Sequence, residues 1–228
     1  MAQRRKSARK TDEEAEIAAR REVIDTALAM SRRGLSPGRS GNVSRRWAGG
    51  MLITPSGMAY DAIGPSDVVF VGEDGSVASG QHTPSSEWRF HLSAYAARPD
   101  MGAVVHTHSM HATVLACAGR SIPAFHYMVA IAGGRDIPLA PYATFGTKRL
   151  ARHVAKGLEK RNACLMANHG QIAIGATCAK ALDLAGEVEI LSEQYWKVLC
   201  LGAPIVLDDD EMDEVLARFA SYGQNAQK

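Results

Sequence analysis

The sequence predicts an α+β fold, an α/β chain of the segregated type with a central, mainly antiparallel β-sheet flanked by helices. Three observations carry this expectation. Short β-branched runs separated by glycine turns cluster early in the chain. Helical periodicities sit at both ends and in the middle. Strand-like and helix-like segments mix without strict βαβ alternation. A length of 228 residues with 46% hydrophobic composition is enough for one sizeable core and does not require two. The expected organisation is a basic tail over residues 1–12 and a single catalytic domain over 13–228.

The elements follow in order. Arg4, Arg5, Lys6, Arg9 and Lys10 open the chain, a charge run that reads as a disordered, solvated tail. Asp12, Glu13 and Glu14 then suit a helix N-terminus, and Ile17, Val23, Ile24, Ala27, Leu28 and Met30 continue at helical spacing until Gly34. The glycine- and serine-rich string GLSPGRSGNVS leads into strands expected at Val43–Trp47, Met51–Thr54 and Val68–Val71. Turns at AGG and GEDG make these an antiparallel meander. A helix is expected over Ser85–Ala97 and a buried strand at GAVVHTH, where apolar β-branched residues run unbroken up to the histidines. A helix from about Met110, strands at Ala163–Ala167 and Gln171–Ile174, a long helix over Thr177–Leu199 and a short one over Asp209–Phe219 complete the reading.

Composition excludes several classes. The formal charge of +2 is concentrated in the tail, and aromatics are only 6%, poor material for a base-stacking surface. No nucleic-acid partner is expected. No apolar run approaches the roughly 20 residues of a membrane span, and no apolar leader opens the chain. A cytoplasmic protein without a membrane partner is expected. Cys117, Cys164, Cys178 and Cys200 contain no pair at CxxC spacing, so each reads as a buried small hydrophobe.

The chemistry is written in histidines and small polar loops. His106 and His108, two apart on a strand, leave on the same face and can chelate one ion. Three histidines with an open position is a catalytic zinc arrangement, and His169 in ANHGQ is the best third ligand, the next glycine permitting a tight turn. Taken alone, the His-x-His pair also reads as decoration of a strand edge. In PSSEWRFH, Glu87 falls in the first turn of a helix behind two serines; it reads either as an acid on the helix dipole or as a proton-transfer group. Ser85 and Ser86 at that N-terminus, Gly41 and Asn42 in SGNVS, and Ser56 and Gly57 in TPSG all let N–H groups approach an oxyanion. Each loop alone is an ordinary turn.

The strings SGNVS, GMLITPSG, PSSEWRFH, AVVHTH, RSIPAFHYM, IPLAPYATFGT and NHG, in that order, resemble the class II aldolase family typified by L-fuculose-1-phosphate aldolase, a superfamily that also holds ribulose-phosphate 4-epimerases. The resemblance runs from about residue 20 to Tyr222. It implies the three-layer class II aldolase/adducin-like fold and a divalent ion, zinc with manganese or cobalt as alternatives, on His106, His108 and His169. It implies that Glu87 transfers a proton, that Asn42, Ser56, Gly57, Ser85 and Ser86 bind a phosphate, and that Gly41 shapes the first loop. It further implies a homotetramer with active sites between subunits. Tyr127 would then reach a neighbouring site as an acid/base, and Phe145 and Tyr222 would lie near the aldehyde end of the substrate.

By that resemblance the expected activity is class II, divalent-metal-dependent aldehyde-lyase chemistry, cleaving a ketose 1-phosphate to dihydroxyacetone phosphate and an aldehyde. L-Fuculose 1-phosphate, 5-deoxyribulose 1-phosphate and 5-methylthioribulose 1-phosphate share the phosphate end, which sets fucose catabolism beside 5-deoxyribose and methylthioadenosine salvage. A sugar-phosphate 4-epimerase or methylthioribulose-1-phosphate dehydratase is the enzymatic alternative, and an adducin-like binding module the alternative without catalysis. Two positions depart from the pattern. Asn168 stands where the fuculose enzyme has a second histidine, and Ser56 where a threonine is familiar.

Overall fold

The computed structural model describes residues 2–221, with side chains from Asp12 to Phe219. Helix α1 (Ala2–Arg32) begins within the stretch read as a basic tail; the side chains of that basic cluster, and all of Tyr222, lie outside what is described. From Ala19 the helix buries Ala19, Val23, Ala27 and Met30, a stripe at spacings of four, four and three that faces one way.

Twelve further elements follow. They are β1 (Asn42–Trp47), β2 (Gly50–Ile53), β3 (Val69–Gly72), α2 (Trp88–Ala97), β4 (Ala103–Thr107), α3 (Met110–Cys117), β5 (Leu139–Ala140), α4 (Lys148–Leu158), β6 (Ala163–Met166), β7 (Gly170–Gly175), α5 (Cys178–Leu201) and α6 (Asp209–Ser221). The strands form one sheet in the order β3-β2-β1-β4-β7-β6-β5. Every neighbouring pair is antiparallel except β5 with β6, so the expected sheet is found. The AGG turn is a two-residue hairpin: Trp47 pairs with Gly50, and Ala48 and Gly49 both take positive φ, the backbone twist that joins two right-twisted strands. The GEDG turn closes after β3 but returns into coil, not into a fourth meander strand.

Alternation along each strand makes three layers. Ala103 and Val105 of β4, Ala163 and Leu165 of β6 and Ala173 of β7 pack with α1, α3 and α5. Their neighbours Val104, Cys164, Met166, Ile172 and Ile174 pack with α2 and α4 on the opposite face. Each such fully buried Val, Leu, Ile or Met stabilises the fold by about 1.5–3 kcal/mol. His106 shares the parity of Val104, and its ring meets Phe90 of α2 edge-on, 5.2 Å between centroids. The α2/α4 face therefore carries the candidate site.

Four expectations need correction. Helix α2 starts at Trp88, three residues later than read, with Glu87 as its N-cap residue. Helix α4 and the short strand β5 were not anticipated. Cys164 and Cys178 are buried as expected, but Cys117 and Cys200 are exposed, because they fall on the outer sides of α3 and α5. No helix among the described residues is long and apolar enough to cross a membrane.

Candidate active site

Strand β4 ends at Thr107, and His108 follows one residue past it, so His106 and His108 keep the same-face relation of strand neighbours two apart. Their Nε2 atoms lie 3.0 Å from each other. His169 arrives from the three-residue hairpin between β6 and β7, where Met166 pairs with Gly170. The expected role of the following glycine is corrected here. The positive φ belongs to Asn168, at 53°, and asparagine tolerates that region better than most side chains. Gly170 serves close approach instead: a Cβ there would stand 2.4 Å from the Thr107 carbonyl oxygen.

Glu87 completes the cluster. Its carboxylate makes no capping hydrogen bond to α2, so it is not spent on the helix end. Oε1 lies 2.9 Å from His169 Nε2 and Oε2 lies 3.2 Å from His106 Nε2. Burial works to raise its pKa, but His106 and His169, when they carry the protons that a bound ion would replace, outweigh that and hold Glu87 well below the ordinary carboxylate value, so it is ionised. Burial, reinforced by His106 and His169, lowers His108 to about 3. It presents a neutral ring at physiological pH. His106 donates from Nδ1 to the Gln171 carbonyl at 2.8 Å, which fixes the tautomer and turns a bare Nε2 toward the centre.

These donors fit a metal ion. One ligand atom from each of Glu87, His106, His108 and His169 falls within 4.8 Å of the others. Two imidazole nitrogens face each other at 3.0 Å, close to the ~3.3 Å that separates two ligands on a tetrahedral ion with bonds of about 2.0 Å. Glu87 Oε1 is buried, and although His169 Nε2 lies 2.9 Å away it makes no hydrogen bond among the described residues. A cation among the four would satisfy that oxygen and separate the opposed lone pairs.

The three small-residue loops converge beside this cluster. Asn42 pairs directly across from His106 in the sheet. Gly41 before it is required by space, since a Cβ would stand 2.6 Å from the His106 carbonyl oxygen and 2.9 Å from Met30. Thr54 ties the TPSG loop to β1, its N–H bonding the Val43 carbonyl at 3.0 Å. That loop in turn joins PSSE: Ser56 N–H bonds the Thr83 carbonyl at 2.9 Å and Ser85 N–H the Thr54 carbonyl at 3.1 Å. Ser56, Gly57 and Ser86 are exposed, while Gly41, Asn42 and Ser85 are buried.

A cavity of about 300 Å³ opens over the cluster, lined by Ser86, Glu87, His108, Tyr142, Ala143, Phe145, Asn168 and His169. A larger groove of about 1000 Å³ lies elsewhere, along α5, and holds none of these donors. Phe145 lines the cavity over the cluster. Tyr127, exposed at the start of a 3-10 turn, is not brought to the cavity of its own chain. Tyr142 was missed by the sequence reading, although it shares the PYATFGT string with Phe145. His91 was missed as well: it hydrogen-bonds Asn42 and ends the PSSEWRFH string one helical turn after Glu87.

A three-layer sheet-and-helix scaffold, with three histidines and a carboxylate at one strand end beside small polar loops, has the site of a metal-dependent enzyme. The description of the family that matches residues 21–196 is Class II Aldolase and Adducin N-terminal domain. The chain belongs to this family. It is 53% identical over 211 residues to the 5-methylthioribulose-1-phosphate/5-deoxyribulose-1-phosphate aldolase of Rhodospirillum rubrum, spanning 92% of this chain and 95% of that one. To the L-fuculose phosphate aldolase of Escherichia coli K12 it is 50% identical over 204 residues, 89% and 94% of the two chains. A solved L-fuculose 1-phosphate aldolase superposes with a TM-score of 0.85 at 40% identity, covering 89% of this chain and 96% of that chain. The chain is accordingly an enzyme, a lyase of the class II aldolase type.

Proposed function

We propose that the chain cleaves a ketose 1-phosphate between C3 and C4, releasing dihydroxyacetone phosphate and a short aldehyde, with zinc on His106, His108 and His169. Manganese or cobalt suits the same donors. The observation that carries the reading is the meeting of Glu87 and the three histidines within 4.8 Å beside the loops of Asn42, Ser56 and Ser86. An adducin-like module would have no use for that donor set.

A divalent ion bound there supplies a Lewis acid for the electrons set free when the bond breaks. The loops at Gly41–Asn42, Ser56–Gly57 and Ser85–Ser86 hold the phosphate through their hydroxyls and those N–H groups not already bonded within the fold, fixing the half that all candidate substrates share. Asn42 contributes its second side-chain N–H, the first being committed to Glu87 at 2.9 Å. Glu87 moves the proton at C3 of the three-carbon fragment, for which its ionised state suits it. Tyr127 of the partner subunit exchanges the proton on the oxygen of the departing aldehyde. Its exposure, with that of Met110, Val114 and Ile190, supports burial against other subunits in a homotetramer. Phe145, which lines the cavity, contacts the aldehyde end, and the same role is proposed for Tyr222, which lies outside the described residues. The enzyme works in the cytoplasm, as one catalytic domain over residues 13–228.

The relatives' names divide between L-fuculose 1-phosphate and the 5-deoxy and 5-methylthio pentulose 1-phosphates, which differ only at the aldehyde end. The deciding experiment measures dihydroxyacetone phosphate release from each of the three by metal-reconstituted enzyme, with and without EDTA. Chelation-sensitive release from at least one is expected. No release from any, with epimer or dehydrated product instead, would replace the aldolase by an epimerase or dehydratase.

A further inference from the structure

Behind Glu87 and Asn42 runs a row of buried polar groups, Ser44, His91 and Tyr95, that none of these roles uses. Asn42 and Ser44 lie two apart on one face of β1; Glu87, His91 and Tyr95 lie four apart along α2. Two residues of strand advance about 6.6 Å and four residues of helix about 6.0 Å, so the ladders mesh. Asn42 Nδ2 lies 2.9 Å from Glu87 Oε2 and Asn42 Oδ1 lies 2.5 Å from His91 Nε2. His91 Nδ1 lies 2.7 Å from Ser44 Oγ, which lies 2.9 Å from the Tyr95 hydroxyl. None of the five is more than 6% exposed.

One end dictates the direction of every bond. An ionised carboxylate only accepts, so Asn42 turns its NH2 toward Glu87 and its carbonyl toward His91. That carbonyl only accepts, so His91 carries its proton on Nε2. The bare Nδ1 then takes the Ser44 hydroxyl proton, and Ser44 accepts from Tyr95. Burial agrees with both ends of this assignment: it lowers His91 to about 3, keeping the ring neutral, and raises the Tyr95 phenol above its ordinary value, keeping it a donor.

We infer that His91, held by Ser44 and Tyr95, is a positioning residue that locks the Asn42 amide in one orientation and through it aims the Glu87 carboxylate. Were the imidazole free to take the other tautomer, Asn42 would turn over and set its carbonyl against Glu87. The inference rests on the proposed aldolase reading for its kinetic part only.

The test compares His91→Phe, which keeps a ring beside Phe90 but no nitrogen, with His91→Gln, whose amide nitrogen falls where Nε2 stood, and with Ser44→Ala. Measured are kcat and KM for the ketose phosphate, metal per subunit, thermal midpoint, and deuterium exchange into dihydroxyacetone phosphate alone. His91→Phe should lose roughly 10- to 100-fold in kcat and in exchange, the usual scale for groups behind a catalytic shell, with KM and metal content unchanged. His91→Gln should recover most of that loss. Parent-like kcat in folded, metal-loaded His91→Phe, or a His91→Gln that regains the thermal midpoint without regaining kcat, overturns the inference. Should His91→Phe fail to fold, Ser44→Ala decides in its place: a severalfold loss of kcat supports the inference and none overturns it. If the parent neither cleaves a ketose phosphate nor exchanges the proton, the aldolase reading falls. Nitrogen-15 spectra of His91 then decide separately, an Nε2–H ring supporting the lock and an Nδ1–H ring overturning it.

Discussion

The inner and outer walls of the cavity are built by opposite rules. The inner wall comes from regular elements: His106 on a central strand is 0% exposed and Glu87 at a helix cap 6%, and both are held by named hydrogen bonds. The outer wall comes from loops, with Phe145 64% and Tyr142 55% exposed and no hydrogen bond among the described residues fixing either ring. The inner wall therefore suits bond breaking, which depends on placing groups to within a fraction of an ångström. The outer wall suits discrimination among aldehydes, which a changed apolar contact alters by one or two powers of ten.

Mutations should break this contrast in graded steps. The largest effect belongs to the inner wall: Glu87→Gln should retain the ion and lose about 10²–10⁴ in kcat, the range of a general acid/base, whereas His106→Ala should lose the ion itself. Metal analysis beside kinetics checks both. Next is Gly41→Ala. Its Cβ would sit 2.6 Å from the His106 carbonyl oxygen, so the folded state should weaken by about 1–3 kcal/mol, as for other overpacked positions, read from the denaturant midpoint. Smaller, and confined to the outer wall, Phe145→Ala should shift kcat/KM about 10-fold and unequally among the three ketose phosphates while leaving the thermal midpoint nearly unchanged. The smallest is a pH effect. His91 is held near 3 in the fold against about 6.5 when unfolded, so the unfolded chain takes up a proton that the folded one refuses. Stability is whole above pH ~6.5 and is lost as pH falls toward 3. His91→Gln should thus unfold at a lower pH than expected from its stability at neutral pH, in an acid titration.

The legibility of the sequence follows the same contrast. Strands β1, β2, β4, β6 and β7 were readable to within a residue or two because strands covered on both faces leave short apolar runs bounded by turn residues, and the same-face relation of His106 and His108 follows from their spacing of two. Helix α4 was missed although Leu150, Ala151, Val154 and Leu158 form its buried stripe, because basic residues fill the intervening positions and mask a narrow apolar face. Strand β5, two residues long, leaves no period at all. His91 was invisible for another reason: its role comes from the meshing of a strand with a helix 45 residues further on, a match of spacings that neither segment displays alone. Tyr142 needed only its neighbour Phe145 and was overlooked as an ordinary loop aromatic.

The central claim is that three histidines hold one ion, with Glu87 beside it, and that cleavage depends on that ion. Dihydroxyacetone phosphate release by chelator-stripped protein, titrated with zinc, tests it most directly. Activity should rise from near zero and saturate at one ion per subunit in the parent, and stay flat in His106→Ala. Full activity before any zinc is added, with substrate trapped on a lysine by borohydride, would contradict it.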